Sequence, residues 1–209
     1  MDLIPSLVLV GVGLAVALKS KKTAGAVKDS GRAPGTGAGS ATDLCSNDAR
    51  RRDQTNAHRR VDLVDVESYG GPEKLHPEAA RAFRALLAAA RAAGFKSPLF
   101  AVASGYRTLE TQTRLFASQV GKQQQRHPTW TAAQIQTEAR RWVALPGHSD
   151  HETGCAIDFW LGHRIAASSN DAIRATAAFA WLEANASTYG FCPYSVEAWH
   201  WKYILEDIR

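Results

Sequence analysis

Two short segments of this chain gather the residue types that hold a metal ion and move a proton. The first runs Ser149-Asp150-His151-Glu152-Thr153-Gly154-Cys155-Ala156-Ile157-Asp158, and the second is Glu197-Ala198-Trp199-His200. His151, Asp158 and His200 supply two imidazoles and a carboxylate, a sufficient set for zinc that leaves a fourth position for the water a hydrolase activates. Asp158 is the informative member. It lies within Ala156-Ile157-Asp158-Phe159-Trp160-Leu161, where a strand would bury a carboxylate among apolar side chains at a cost that a cation or metal must offset. Gly154 lets the chain turn between His151 and that strand, so both ligands can face one point.

His151-Glu152 opens like the HExxH helix of zincins, but position 155 is cysteine and the next histidine is His163, so that motif is absent. Glu152 is therefore read as a supporting or surface residue. Glu197, three residues before His200 and close to Trp199 and Trp201, is the better general base, because apolar surroundings raise a carboxyl pKa toward the working pH. Each piece alone has an ordinary reading. Asp158 could pair with an arginine, and Glu197 and His200 could be a helical pair. His58, His76, His127, His148 and His163 read as packed or surface residues.

The elements that must position these residues follow from periodicity and caps. Pro77 to Ala93 reads as a helix with proline in its first turn, Phe83, Leu86, Leu87 and Ala90 on one face, and Gly94 as the stop. Leu99–Ala103 reads as a short buried strand. A second helix runs from Leu109 to about Val120 with Leu115 and Phe116 inward. Thr131 and Gln134 make a capping box, with Trp130 and Ile135 as its staple, for a third helix reaching about Trp142. A fourth spans Asp171 to Tyr189 and stops at Gly190. Strands are expected at Ala156–Leu161 and His200–Leu205. This order predicts an α+β domain: a small, largely antiparallel sheet flanked by helices, with the zinc site at the sheet.

The net charge of +5 belongs to one end of the chain. Residues 1–60 hold ten Lys/Arg against five Asp/Glu, and residues 61–209 hold fifteen of each. A neutral core lacks the clustered cations of a phosphate-tracking groove, so no nucleic-acid partner is expected. Residues 3–18 are almost wholly apolar, and at 1.5 Å per residue they reach about 24 Å, short of the roughly 30 Å hydrocarbon core. They are read as a membrane-targeting or anchoring segment, residues 1–22 with the lysines that follow. Those lysines favour keeping the next residues cytoplasmic, whereas Ala15-Val16-Ala17 fits a cleavage site for export. Residues 23–59 have linker composition, basic and poor in large apolar groups, and residues 60–209 are read as the folded domain. Cys45, Cys155 and Cys192 contain no CxxC pair, which excludes a cysteine-rich zinc module. A bridge between Cys155 and Cys192 and two separately buried thiols both remain open.

Taken together the motifs resemble a known family. Ser104-Gly105-Tyr106-Arg107 with Gln112 five residues on, Pro146-Gly147-His148-Ser149-Asp150-His151 through Asp158, and Glu197-Ala198-Trp199-His200 are similar, in order, to the zinc D-Ala-D-Ala carboxypeptidases and dipeptidases of the VanY type. Their superfamily also holds lysostaphin-like endopeptidases and the hedgehog signalling domain. The resemblance runs from about Leu75 to Tyr203. It implies that His151, Asp158 and His200 bind zinc, that Glu197 is the catalytic base, and that Arg107 contacts the substrate carbonyl or the tetrahedral intermediate. Ser149 and Gln112 would line the substrate site. The implied substrate is the peptidoglycan stem peptide and the implied location is the cell envelope, anchored or exported. A carboxypeptidase removing terminal D-Ala, an endopeptidase cutting within the stem, and a zinc domain that binds wall peptide without cleaving it are the three competing activities. Two segments depart from the pattern: Phe191–Val196 is shorter than in VanY-type relatives, and Ser118–Val143 is longer, with a capped helix that could cover the cleft. Cys155 is read as structural.

Overall fold

The apolar segment around Asp158 does build a strand, and that strand lies inside a four-stranded antiparallel sheet. In this computed structural model residue 45 and residues 62–204 are described, all within a unit spanning Ala38–Arg209. The apolar segment at residues 3–18 and, apart from Cys45, the linker at 23–59 lie outside the described residues. The elements run β1 (Val64–Val66), β2 (Glu73–Leu75), α1 (Pro77–Ala92), β3 (Val102–Ser104), α2 (Leu109–Arg126), α3 (Ala132–Ala139), a 3-10 turn at Asp150–Thr153, then β4 (Ala156–Phe159). After a 3-10 turn at Ala167–Ser169 come α4 (Asn170–Arg174), α5 (Ala177–Asn185), a third 3-10 turn at Ala186–Tyr189, β5 (Phe191–Pro193) and β6 (His200–Tyr203). β1 and β2 form a small antiparallel ribbon, and the main sheet has the order β3-β4-β6-β5.

Alternation along the strands separates a core face from a site face. Ile157 and Phe159 of β4 and Trp201 and Tyr203 of β6 join the core with Phe83, Leu86 and Leu87 of α1. Phe159 bridges the layers, its ring 6.2 Å from Phe83 and 6.1 Å from Phe191. Truncating such a side chain to alanine costs about 3–5 kcal/mol. The opposite face carries Asp158 and His200, which are register partners on β4 and β6, and Ser104 of β3 is the partner of Asp158 on its other side. α1 starts at Pro77 as expected, ends at Ala92 with Ala93 as its cap, and keeps the expected inward face, with His76 Nδ1 accepting from Glu78 N at 3.3 Å.

Several expectations need correction. α2 turns glutamines inward: Gln112, Gln119 and Gln123 are its buried residues, while Leu115 is 40% exposed and Phe116 half-buried. α2 packs against α3, which keeps its Thr131/Gln134 capping box but ends at Ala139. The fourth helix is broken into α4, α5 and a 3-10 turn, because Thr176 ends one piece and caps the next: its Oγ1 donates to Ile173 O at 2.7 Å and accepts from Phe179 N at 3.0 Å. The first strand of the main sheet falls at Val102–Ser104 rather than Leu99–Ala103. Cys192 is bonded to Cys45, not to Cys155, which is a buried free thiol.

Candidate metal centre and active site

The seven side chains singled out from sequence, Arg107, Gln112, Ser149, His151, Asp158, Glu197 and His200, all line one cleft of about 630 Å³. Asp158 projects from the middle of β4 and His200 from the first residue of β6, a cross-strand pair that places His200 Nδ1 2.9 Å from Asp158 Oδ1. His151 arrives from the 3-10 turn, with Nε2 3.4 Å from the same oxygen. All three are buried. Gly154 makes the sharp connection between the turn and β4 at φ +74°, and a Cβ there would sit 2.8 Å from His76 N, so only glycine fits.

His151 Nδ1 lies 2.7 Å from the carbonyl oxygen of Gly105. A carbonyl can only accept, so Nδ1 donates its proton there and Nε2 is the ring nitrogen left to face Asp158 and a metal. Gly105 is itself fixed: its N–H donates to Glu73 Oε2 at 2.8 Å, and Tyr106 N–H donates to Lys74 O at 2.8 Å. The donor atoms of His151, Asp158 and His200 lie within 4.8 Å of one another. Ligands held at about 2.0–2.1 Å from a tetrahedral zinc ion stand roughly 3.4 Å apart, so the 2.9 and 3.4 Å separations are of ligand spacing. Two imidazoles and a carboxylate, buried and converging, fit zinc in chemistry as well as in geometry.

The electrostatics follow from burial and proximity. For Asp158 burial works to raise the pKa, but His151 and His200 outweigh it and hold the carboxyl well below its usual range. Burial pulls His151 down, against the opposing pull of Asp158. For His200 burial also acts downward, yet the hydrogen bond and charge of Asp158 leave its pKa raised. Burial pushes Glu197 above the ordinary carboxylate range, with His200 opposing. Arg107 Nη2 lies 3.4 Å from Asp158 Oδ2 and 3.2 Å from Ser104 Oγ, and its Nη1 lies 3.4 Å from Gln112 Oε1. Gln112 Nε2 in turn donates to Ala144 O at 2.8 Å. Gln112 thus braces Arg107, a role in addition to lining the cleft.

Glu152 is buried rather than at the surface. Its carboxylate accepts from Gly147 N–H at 2.9 Å and Ser149 N–H at 3.0 Å, which shapes the loop before His151 and takes this side chain out of contention as a base. Four functional positions escaped the sequence reading. Buried Lys202 donates to Asp150 Oδ1 at 2.8 Å, and Asp150 lines the cleft; Lys202 is two residues beyond His200, so strand alternation is the signal that could have found it. Tyr194 lines the cleft with its ring 5.6 Å from that of His200. Asn170 and Arg174 of α4 fasten the loop that carries Glu197: Asn170 Nδ2 donates to Val196 O at 3.1 Å, Asn170 Oδ1 accepts from Ala198 N–H at 2.8 Å, and Arg174 Nη2 donates to Ser195 O at 2.7 Å.

A candidate three-donor metal site on an antiparallel sheet, with a carboxylate and an arginine in the same cleft, fits the arrangement of a metallopeptidase. Residues 72–206 match the VanY family, D-alanyl-D-alanine carboxypeptidase, and the chain belongs to that family. A curated relative, the D-alanyl-D-alanine carboxypeptidase of Enterococcus faecalis, is 32% identical over 152 residues, 68% of this chain and 52% of the relative. The chain spans about half the length of the curated relatives it matches. Among solved structures, VanYB in complex with D-alanine-D-alanine is 30% identical with a TM-score of 0.51, covering 71% of this chain and 81% of that one. A mutant of the vancomycin-resistance D,D-pentapeptidase VanY from a VanB-type cassette, in complex with Zn(II), is 30% identical with a TM-score of 0.50, covering 71% and 82%.

Proposed function

We propose that this protein is a zinc-dependent D,D-carboxypeptidase that removes terminal D-Ala from peptidoglycan stem peptides. The observation that carries this reading is the convergence of Glu197 and Arg107 on the cleft lined by His151, Asp158 and His200. A domain that only bound peptide would have no need of a half-buried carboxylate beside a metal cluster. Kinship to the VanY family and to a structure holding D-alanine-D-alanine supports the substrate class.

His151 Nε2, Asp158 and His200 Nδ1 would hold the zinc, which when bound supplies a Lewis acid that polarises a carbonyl and acidifies water. Glu197, its pKa raised by burial, takes the proton of the attacking water and returns it to the leaving amine of D-Ala. Arg107 donates through its guanidinium to the carbonyl oxygen as negative charge builds on it. Ser104, Gln112 and Asp158 hold that guanidinium in place, so little reorganisation accompanies the reaction. Ser149 lines the same cleft, where it would contact the peptide.

The disulfide between Cys45 and Cys192 suits an oxidising compartment, which supports export to the cell envelope. No helix among the described residues is long and apolar enough to cross a membrane. Residues 60–209 are the proposed peptidase domain, with residue 45 tied to it by that bond.

Mass spectrometry of a stem pentapeptide incubated with the zinc-loaded protein tests the assignment. Release of one D-Ala per peptide is the expected product. A cut inside the stem would make the protein an endopeptidase, and binding without any cleavage would make it a peptide-binding domain.

A further inference from the structure

The residues just after α3 form a wall of the cleft that the reaction above does not use. Arg140, Arg141 and Trp142 all line it. Their backbone is held by a run of hydrogen bonds: Arg140 N–H donates to Gln136 O, Arg141 N–H to Glu138 O and Trp142 N–H to Ala139 O, each at 3.1 Å. Glu138 organises two of the side chains: Oε1 accepts from Trp142 Nε1 at 3.2 Å and Oε2 lies 3.5 Å from Arg141 Nη1. Trp142 is nevertheless 50% exposed, and Leu115, also on the cleft, is 40% exposed. Arg140 is exposed, and no carboxylate among the described residues pairs with it. Two cations after the last turn of α3 would serve the helix dipole, but that role does not call for a large indole held half out of the core beside them.

Two guanidiniums and an indole on a fixed turn are the parts of a site that grips a carboxylate by paired hydrogen bonds and covers the aliphatic chain next to it. We propose that Arg140, Arg141 and Trp142 form a carboxylate-binding subsite for the peptide substrate, separate from Arg107 and the metal cluster. The inference rests on the peptide-hydrolase reading for the identity of its ligand. A cleft of about 630 Å³ is within the range that encloses a drug-sized molecule, so it has room for more of the peptide than its last residue. A stem peptide offers two sources of carboxylate, its free C-terminus and the acidic groups upstream of the scissile bond, and a guanidinium meets both in the same way.

Calorimetric titration of the zinc-loaded full chain decides between them. Three pentapeptides ending in D-Ala-D-Ala are compared on wild type and R140Q/R141Q: unmodified, amidated at the C-terminus, and amidated at the upstream carboxylates. The double variant is expected to bind the unmodified peptide about three- to tenfold more weakly, the scale of a partly desolvated charge pair. One amidated peptide should show that same loss on wild type and no further loss on the variant, and which one does so identifies the carboxylate. Equal affinity of wild type and variant for all three peptides overturns the subsite, as does indifference of wild type to both amidations. D-Ala release measured on the same samples keeps the two readings apart: discrimination in binding without hydrolysis removes the carboxypeptidase and leaves the subsite, and hydrolysis without discrimination does the reverse.

Discussion

Asn170 holds Glu197 in position from both flanks. Its amide donates to the carbonyl of Val196 and accepts from the N–H of Ala198, so the residues on either side of the proposed base are clamped by one side chain on another element. Loops are otherwise the most mobile part of a fold, and a base displaced by 1 Å loses much of its rate. Asn170→Ala is expected to lower kcat about tenfold or more while zinc content stays at wild type. Asn170→Asp keeps the acceptor and should recover part of the rate. A variant whose KM rises while kcat holds would show that Asn170 shapes the substrate pocket instead.

Gly105 is the corresponding support for His151. A Cβ at this position would lie 2.6 Å from Lys74 O, a backbone atom that cannot swing away. Gly105→Ala must therefore push the strand end off β2 and carry the carbonyl away from His151 Nδ1. Loss of such an orienting hydrogen bond lowers metal affinity by about 10–100-fold. Competition with a chromogenic chelator measures it, and unchanged zinc affinity would show that this hydrogen bond does not orient His151 for the metal.

The candidate site was legible because its parts are short contiguous motifs whose residue types carry chemistry, and because a carboxylate set within an apolar strand at Asp158 calls for a cation or metal. What stayed hidden depends on contacts distant in sequence. β1, β2 and β5 are three residues each, too short to show a period. The inward face of α2 is glutamine, which hydrophobicity counts as solvent-facing, so Leu115 and Phe116 took its place in the reading. The stretch around Thr176 is alanine-rich and locally consistent with one long helix, and only the two hydrogen bonds of its hydroxyl show the break. Asn170 is 28 residues from Ala198, and Cys45 is 147 from Cys192; neither pairing leaves a local signal.

Cys155 gives the fold a dependence on alkaline pH. Burial pushes its thiol up to about 12 from an ordinary value of 9.0. The unfolded chain ionises the thiol above pH 9 while the folded protein keeps it neutral, so the stability Cys155 contributes is complete below that value and is lost as pH rises toward 12. Thermal melts of wild type and Cys155→Ala at about pH 7.5 and about pH 10 isolate this group from others that titrate nearby. The wild-type advantage should shrink at the higher pH. A gap that stays constant would mean the thiol titrates normally.

The Cys45–Cys192 bond closes a separation of 147 residues, worth on the order of 5 kcal/mol at most in a chain-entropy account. A chain beginning near residue 60 keeps every described strand and helix but leaves Cys192 as a thiol in β5. It is expected to fold and to cleave soluble peptide, with a lower Tm than the full chain. Adding reductant to the full chain should bring its melting temperature down toward that of the truncated form. If the truncated form fails to fold, by circular dichroism, the domain begins before residue 60.

Asp158 and Glu197 are both carboxylates in the same cleft, and conservative amide substitutions should separate their roles. Asp158→Asn keeps the shape of a side chain that touches His151, His200 and Arg107, but removes the negative charge that zinc requires and leaves Arg107 beside a neutral amide. Zinc content should fall from about one per chain to near zero under the same purification, and activity with it. Glu197→Gln removes a proton acceptor that touches none of the three donors by any hydrogen bond seen here, its own contact being to Trp199. Zinc content and peptide affinity should then survive while D-Ala release drops by roughly 10²–10⁴-fold. Elemental analysis, calorimetric titration of a D-Ala-D-Ala-terminated peptide, and the rate of D-Ala release on one preparation give all three quantities. Full zinc occupancy in Asp158→Asn would remove Asp158 from the metal site. Wild-type turnover in Glu197→Gln would remove Glu197 from the reaction, and the general base would have to be sought in another group of the cleft, with Asp150 the carboxylate left to supply it.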